Sequence, residues 1–232
     1  MAKAQGVHLV GSSGFDSAST TFRKCTSGMP NRLKRIPDGE TGVRHYFTFW
    51  QSAFFQSVPE MLTEFKDNAP IPHKDYTPEQ VEAGIEKLKR ANPETGYDAA
   101  TIESYAEFKQ LKDEGVVHAK TKFQVSVPGI ASVMPFVQKD FQAAAFPVYE
   151  EGLLRAMRNM QEQIPHEDLS IQIDLAGETA IAEDFLIYPA WFHSGPGELE
   201  KRKEYMNEYL LRMMAQVERD VELGIHNCYG EY

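Results

Sequence analysis

Three short strings hold the residue types that could do chemistry. The first is His226-Asn227-Cys228, which follows the largely apolar stretch Val221 to Ile225. On an extended chain, residues i and i+2 face the same side. An imidazole and a thiolate then point together, a donor pair that suits a soft cation such as zinc. Zinc takes three or four ligands, and no further Cys or His follows Cys228. Two donors leave an ion mostly hydrated, so His226 and Cys228 read as half of a metal site, with weak zinc binding expected of the chain alone.

The second string is Asp38-Gly39-Glu40-Thr41-Gly42-Val43-Arg44, after Leu33 to Ile36 and before the aromatic residues Tyr46, Phe47, Phe49 and Trp50. A carboxylate there can bind an ammonium group. Arg44 can hold that carboxylate or grip an anionic group of a substrate. The plainer reading is an Asp-Gly turn with a solvated Glu–Arg pair. The third string, Asp174-Leu175-Ala176-Gly177-Glu178, puts two more acids after the strand-like Leu169 to Ile173. Ser12 adds a small polar residue after Gly6 to Gly11.

These residues need elements to position them. Gly6 to Gly11, Leu33 to Ile36, Lys122 to Val127, Leu169 to Asp174 and Ile225 to Cys228 read as strands. Helical spacing is expected over about 43–55, 77–91, 98–112, 147–163 and 198–222. Thr77-Pro78-Glu79-Gln80 carries an N-cap, a proline at the first helical position and an acidic first turn. Strands alternating with helices imply parallel βαβ units. Ser12, Asp38, Glu40, Asp174, Glu178, His226 and Cys228 all fall just past strand C-termini, where open parallel sheets and (β/α)8 barrels carry their sites. The expectation is one α/β domain over residues 1–232. It is a TIM (β/α)8-type barrel with about five of its eight strands and a helical insertion at about 51–120. The missing strands would lie beyond Tyr232, and self-association through the open barrel edge is expected.

Composition narrows the partners. The 232 residues carry a net charge of −10, which argues against nucleic acid as the main partner. No apolar run nears the roughly 20 residues that span a bilayer, and no signal-peptide core is visible. Two cysteines, Cys25 and Cys228, make no disulfide framework. A reducing, cytoplasmic setting and a small-molecule substrate fit best. Cys25 and the isolated His8, His118 and His166 read as packing or surface residues. An aromatic, glycine-rich stretch over 188–197, with His193, reads as packing, with a lid or stacking wall as the functional alternative.

Four segments in this order resemble the catalytic barrel of cobalamin-independent methionine synthase and its relatives. Val10-Gly11-Ser12 is similar to the family's first-strand Gly-Ser. Asp38-Gly39-Glu40 with Arg44 is similar to its acidic Gly-Glu…Arg loop, and Ile171-Gln172-Ile173-Asp174 to its Gln-Ile-Asp strand. His226-Asn227-Cys228-Tyr229 is similar to its zinc-binding His-x-Cys-Tyr. The resemblance implies a methyltransferase in which a zinc-bound thiolate attacks the methyl group of a folate donor. His226 and Cys228 would be metal ligands. Ser12, Glu40 and Asp174 would grip the amino-acid substrate, with Asp38, Arg44 and Glu178 beside them and Glu40 and Asp174 in the catalytic role. The chain departs from the family after Asp174, where Leu175-Ala176-Gly177-Glu178 replaces Glu-Pro-Ala. The remaining zinc ligands of the family would also lie beyond Tyr232. One alternative is a metal-independent lyase or decarboxylase on the same barrel, using Asp38, Glu40, Arg44 and Asp174. Another is a non-catalytic barrel fragment or binding module.

Overall fold

A computed structural model describes residues 6–66, 69–71, 75–184, 191–193 and 195–229. In chain order the elements are α1 (Ala18–Gly28), β1 (Arg35–Pro37), 3-10 turns at Gly42–Tyr46, Phe49–Phe55 and Pro59–Met61, and a two-stranded antiparallel pair, β2 (Phe65–Lys66) and β3 (Ala69–Pro70). There follow α2 (Pro78–Ala91), α3 (Tyr97–Asp113), β4 (Lys122–Pro128), 3-10 turns at Ile130–Ser132 and Met134–Phe136, and α4 (Lys139–Gln163). The chain continues with β5 (Leu169–Leu175), α5 (Gly177–Ala182), α6 (Leu199–Met214) and β6 (Glu222–Asn227).

The fold is α/β. Strands β1, β4, β5 and β6 form one parallel sheet in that order, so neighbours in the sheet are also successive along the chain once the β2–β3 pair is set aside. Strand alternation divides the sheet into two faces. One face is apolar: Ile36, Phe123, Val125, Val127, Leu169, Ile171 and Ile173 are buried in the main core. Phe123 meets Phe22 of α1 and Phe108 of α3 edge-on or tilted, with centroids 6.0 and 5.4 Å away. Helices α1 and α3 thus cover the same face. The other face is polar, with Arg35, Gln124, Ser126, Ser170, Gln172, Asp174, Glu222 and His226. Parallel sheets normally bury apolar residues on both faces, so this polar face needs internal partners. It has them: Gln124 Nε2 donates to the Leu9 carbonyl (2.9 Å) and Gln172 Nε2 to the Val10 carbonyl (2.6 Å).

Several expectations change. Gly6 to Gly11 does not form a regular strand. It pairs with the sheet through a single parallel bridge, Val7 with Leu33, and then leans across the polar face. Val7 and Val10 stay exposed as a result. The stretch 43–55 is not one helix but two 3-10 turns, because it wraps an aromatic cluster in which Phe54 and Phe55 both pack on Tyr149. Helix α6 stops at Met214, well short of residue 222. Residues Glu222 and Gly224 instead pair with Ser170 and Gln172, so both lie inside β6. Helix α1 was not expected at all. Helix α2 matches its signal: Thr77 and Gln80 form a reciprocal capping box. Among the described residues no helix is long and apolar enough to cross a membrane.

Candidate functional site

The cleft forms where β1, β4 and β5 end. Pro37, Asp38, Glu40, Arg44, Phe47, Trp50, Tyr97, Ser126 and Asp174 are among its walls. Its inner cavity is about 20 Å³, room for one water or one ammonium group.

The loop after β1 is built around Asp38. Its carboxylate is buried and takes the Glu40 backbone N–H at 2.9 Å and the Arg44 guanidinium at 2.7 Å. Gly39 sits at φ +83°, and a β-carbon there would collide with Ser13 and Thr21. Glu40 itself is held at φ +48°, a left-handed conformation that costs a non-glycine residue energy. The Asp38 bond to its N–H and the Ser12 hydroxyl bonded to its carboxylate hold it there. Gly11 lets the chain pass close: a β-carbon there would lie 3.2 Å from Glu40 Oε1.

Asp174 lies one residue before the end of β5, on the polar face. Gln172 Nε2 donates to its Oδ1 at 2.7 Å. Burial is the main force raising the pKa of Asp174 to about 7, against hydrogen bonds from Gln172 and Ser126 that lower it. Glu40 is also pushed up to about 7, first by burial. The Ser12 hydrogen bond opposes this, the charges of Asp174 and Asp38 add to it, and Arg44 offsets part of it. Two carboxyl groups that share a small, poorly hydrated space repel each other's charge. Arg44 does little to relieve this, because its guanidinium is bonded to Asp38. The aromatic wall is packed, with the Trp50 and Tyr97 centroids 4.7 Å apart.

The register pairs Asp174 with His226 on β6. His226 Nδ1 lies 3.3 Å from Asp174 Oδ1, yet this nitrogen is buried and makes no hydrogen bond among the described residues. Alternation puts His226 and Cys228 on the same side, and the Cys228 N–H extends the pairing by donating to the Leu175 carbonyl at 3.1 Å. Imidazole and thiol are donors that suit zinc. Among the described residues no three His, Cys, Asp or Glu side chains converge to hold a metal ion. Among the described residues these donors fall short of a zinc set.

The structure therefore brings Ser12, Asp38, Glu40, Arg44, Asp174 and His226 together at one end of the sheet. Glu178 stands apart. It is fully buried behind the cleft and takes the Tyr209 hydroxyl at 2.7 Å, the Ala131 N–H at 2.8 Å and the Ser132 hydroxyl at 3.2 Å. It ties the loop after β4 to α5 and α6. The proposed lid stretch is only partly described: residues 185–190 and 194 lie outside the described residues, as do residues 230–232. Sequence reasoning overlooked Gln124, Ser126 and Gln172, which carry the polar face. The signal was present in the alternation of LSIQID, where every second residue is polar. Comparison with protein-family models, with curated proteins and with solved structures finds no match to this chain.

Proposed function

We propose that Glu40 and Asp174 bind the ammonium group of a small amino-acid thiol, in a methionine-synthase-like barrel that transfers a methyl group to the sulfur. The observation that carries this reading is the pairing of half-buried Glu40 with buried Asp174, neither bonded to a lysine or arginine among the described residues. Arg44 is committed to Asp38, and the space between the acids suits an ammonium group. The order of the cleft motifs along the chain supports the reaction class, with the methyl donor a folate by the same resemblance.

Two features favour a barrel over an open sheet. The strands follow one another without the reversal of order at which open doubly wound sheets bind ligands. Arg35 of β1 also forms an ion pair with Glu222 of β6 across the polar face. These strands are three apart, roughly 14 Å along a flat sheet, and side chains standing perpendicular to a flat sheet do not meet over that span. A strongly curled sheet brings them together.

The test is calorimetric. Homocysteine is titrated against its des-amino analogue, 4-mercaptobutanoate. A charge-assisted hydrogen bond is worth roughly 1.5–3 kcal/mol, so loss of the amino group weakens binding at least tenfold. Glu40→Gln and Asp174→Asn each shrink that difference. Equal affinity for both compounds removes the ammonium assignment.

A second reading has its own support. Carboxyls that titrate near 7 are poised for acid–base work, as a metal-independent lyase or decarboxylase needs. Formation of methionine from homocysteine and methyltetrahydrofolate separates the two.

A further inference from the structure

At the opposite end of the sheet, where the strands begin, a groove of about 690 Å³ opens between the N-terminal segment, the start of β1 and the loop before β4. We infer that this groove is a second binding site, for a small multiply charged anion of the di- or triphosphate class. Arg32, Lys34, Arg35 and Lys120 line it together with His8 and His118, and among the described residues no Asp or Glu does. That is a marked local reversal in a chain with 34 acidic and 24 basic residues.

Lys34 and Lys120 are exposed, and neither has an ion-pair partner among the described residues. Arg35 gives one nitrogen to Glu222, and its buried Nε has no hydrogen-bond partner among the described residues. His118 Nδ1 accepts the Lys120 N–H at 3.1 Å, which leaves the ring proton on Nε2 as a further donor. Guanidinium forks and ammonium groups set around one concavity match the several oxygens of linked phosphates better than a single carboxylate. The volume lies within the range of small-molecule sites. A net charge of −10 works against an extended polyanion such as nucleic acid, which must lie along surface beyond the groove.

The site differs from the Glu40–Asp174 cleft in place and in sign of charge, so its test is independent of that reading. Inorganic triphosphate is titrated into the full chain by calorimetry. One saturable site is expected, weakening as salt rises. The double variant Lys34→Ala/Lys120→Ala should weaken it at least tenfold, and Lys34→Arg/Lys120→Arg should retain it. Both positions are exposed, and circular dichroism checks that each variant is folded. Lys87→Ala, on α2 and outside the groove lining, should change nothing. No saturable binding overturns the inference, as does equal weakening by Lys87→Ala. Affinity that grows with oligonucleotide length beyond that of triphosphate also overturns it, in favour of a nucleic-acid surface.

Discussion

Replacing Glu40 by Gln should make the protein more stable at pH 8, not less. Burial raises Glu40 from 4.5 to about 7 and Asp174 from 3.8 to about 7. In each case the folded state holds its proton more tightly than the unfolded state does. Below the unfolded-state values both states are protonated and nothing is lost. As pH climbs toward 7 the unfolded chain ionises freely while the folded chain must either keep the proton or bear a buried charge. Stability therefore falls with rising pH until both states are ionised. At about 1.4 kcal/mol per pKa unit the full penalty is about 3 kcal/mol for Glu40 and about 4 kcal/mol for Asp174. Of this, roughly 2 to 3 kcal/mol per group develops between pH 5 and pH 8. Glu40→Gln deletes one share and reduces the other, because a neighbouring charge is gone. Its neutral amide can still accept the Ser12 hydrogen bond. Urea unfolding at pH 5 and pH 8 measures both slopes. The wild type should lose about 4 to 5 kcal/mol over that range, and the variant about half as much or less. Net charge repulsion destabilises both proteins alike, so the difference in slope is the diagnostic quantity. Parallel slopes, or a wild type that gains stability toward pH 8, would refute the burial argument.

Other outcomes follow from the same geometry. Homocysteine binding should strengthen from pH 6 to pH 8 as the carboxyls ionise, with proton release detected by calorimetry in buffers of different ionisation enthalpy; affinity independent of pH counts against the ammonium role. Phe22→Ala should cost about 3 to 5 kcal/mol, because the ring is fully buried against Phe108 and Phe123; chemical denaturation reads it, and a loss below 1 kcal/mol would mean the α1 packing is wrong. Tyr209→Phe removes a donor from buried Glu178 and should cost about 1 to 3 kcal/mol, measured in the same way. Association through the β6 edge, where Ile225 is exposed, should appear in sedimentation velocity and be reduced by Ile225→Lys; a monomer at all concentrations dismisses it.

The strands that carry the cleft were readable because the sheet has one apolar and one polar face, which writes a two-residue period into the sequence. KFQVSV and LSIQID alternate cleanly, and their polar members share one face in the structure. Helix α2 was readable because its capping box is written in four consecutive residues. Helix α1 was not, and the reason is physical. Its sequence, ASTTFRKCTSG, is rich in Ser and Thr, which favour caps and turns over helix interiors. The Ser17 cap and the burial of Phe22 hold it, and the second of these is tertiary. Likewise, no local signal distinguishes Asp38 from Glu40 as the acid free to meet a ligand. Only the folded loop shows that Asp38 is already engaged by Arg44 and the Glu40 N–H. The same holds for Glu178, whose three donors come from the loop after β4 and from α6.

That distribution of acids explains how the cleft can hold strain. Three buried carboxylates lie at or near the C-terminal end of the sheet, and the fold treats them differently. Asp38 and Glu178 take their hydrogen bonds from arginine, tyrosine, serine and backbone donors, so they are fixed and act as braces. Asp174, like the partly exposed Glu40, receives neutral donors from side chains such as Ser12 and Gln172 and no lysine or arginine of its own. The braces set the backbone of each loop, including the left-handed Glu40, while the unneutralised pair stays available. A packing role alone would favour neutral or apolar residues at Glu40 and Asp174, because an uncompensated buried carboxylate costs stability. A buried Asp174 beside a half-buried Glu40 suits the proposed binding of a ligand's ammonium group.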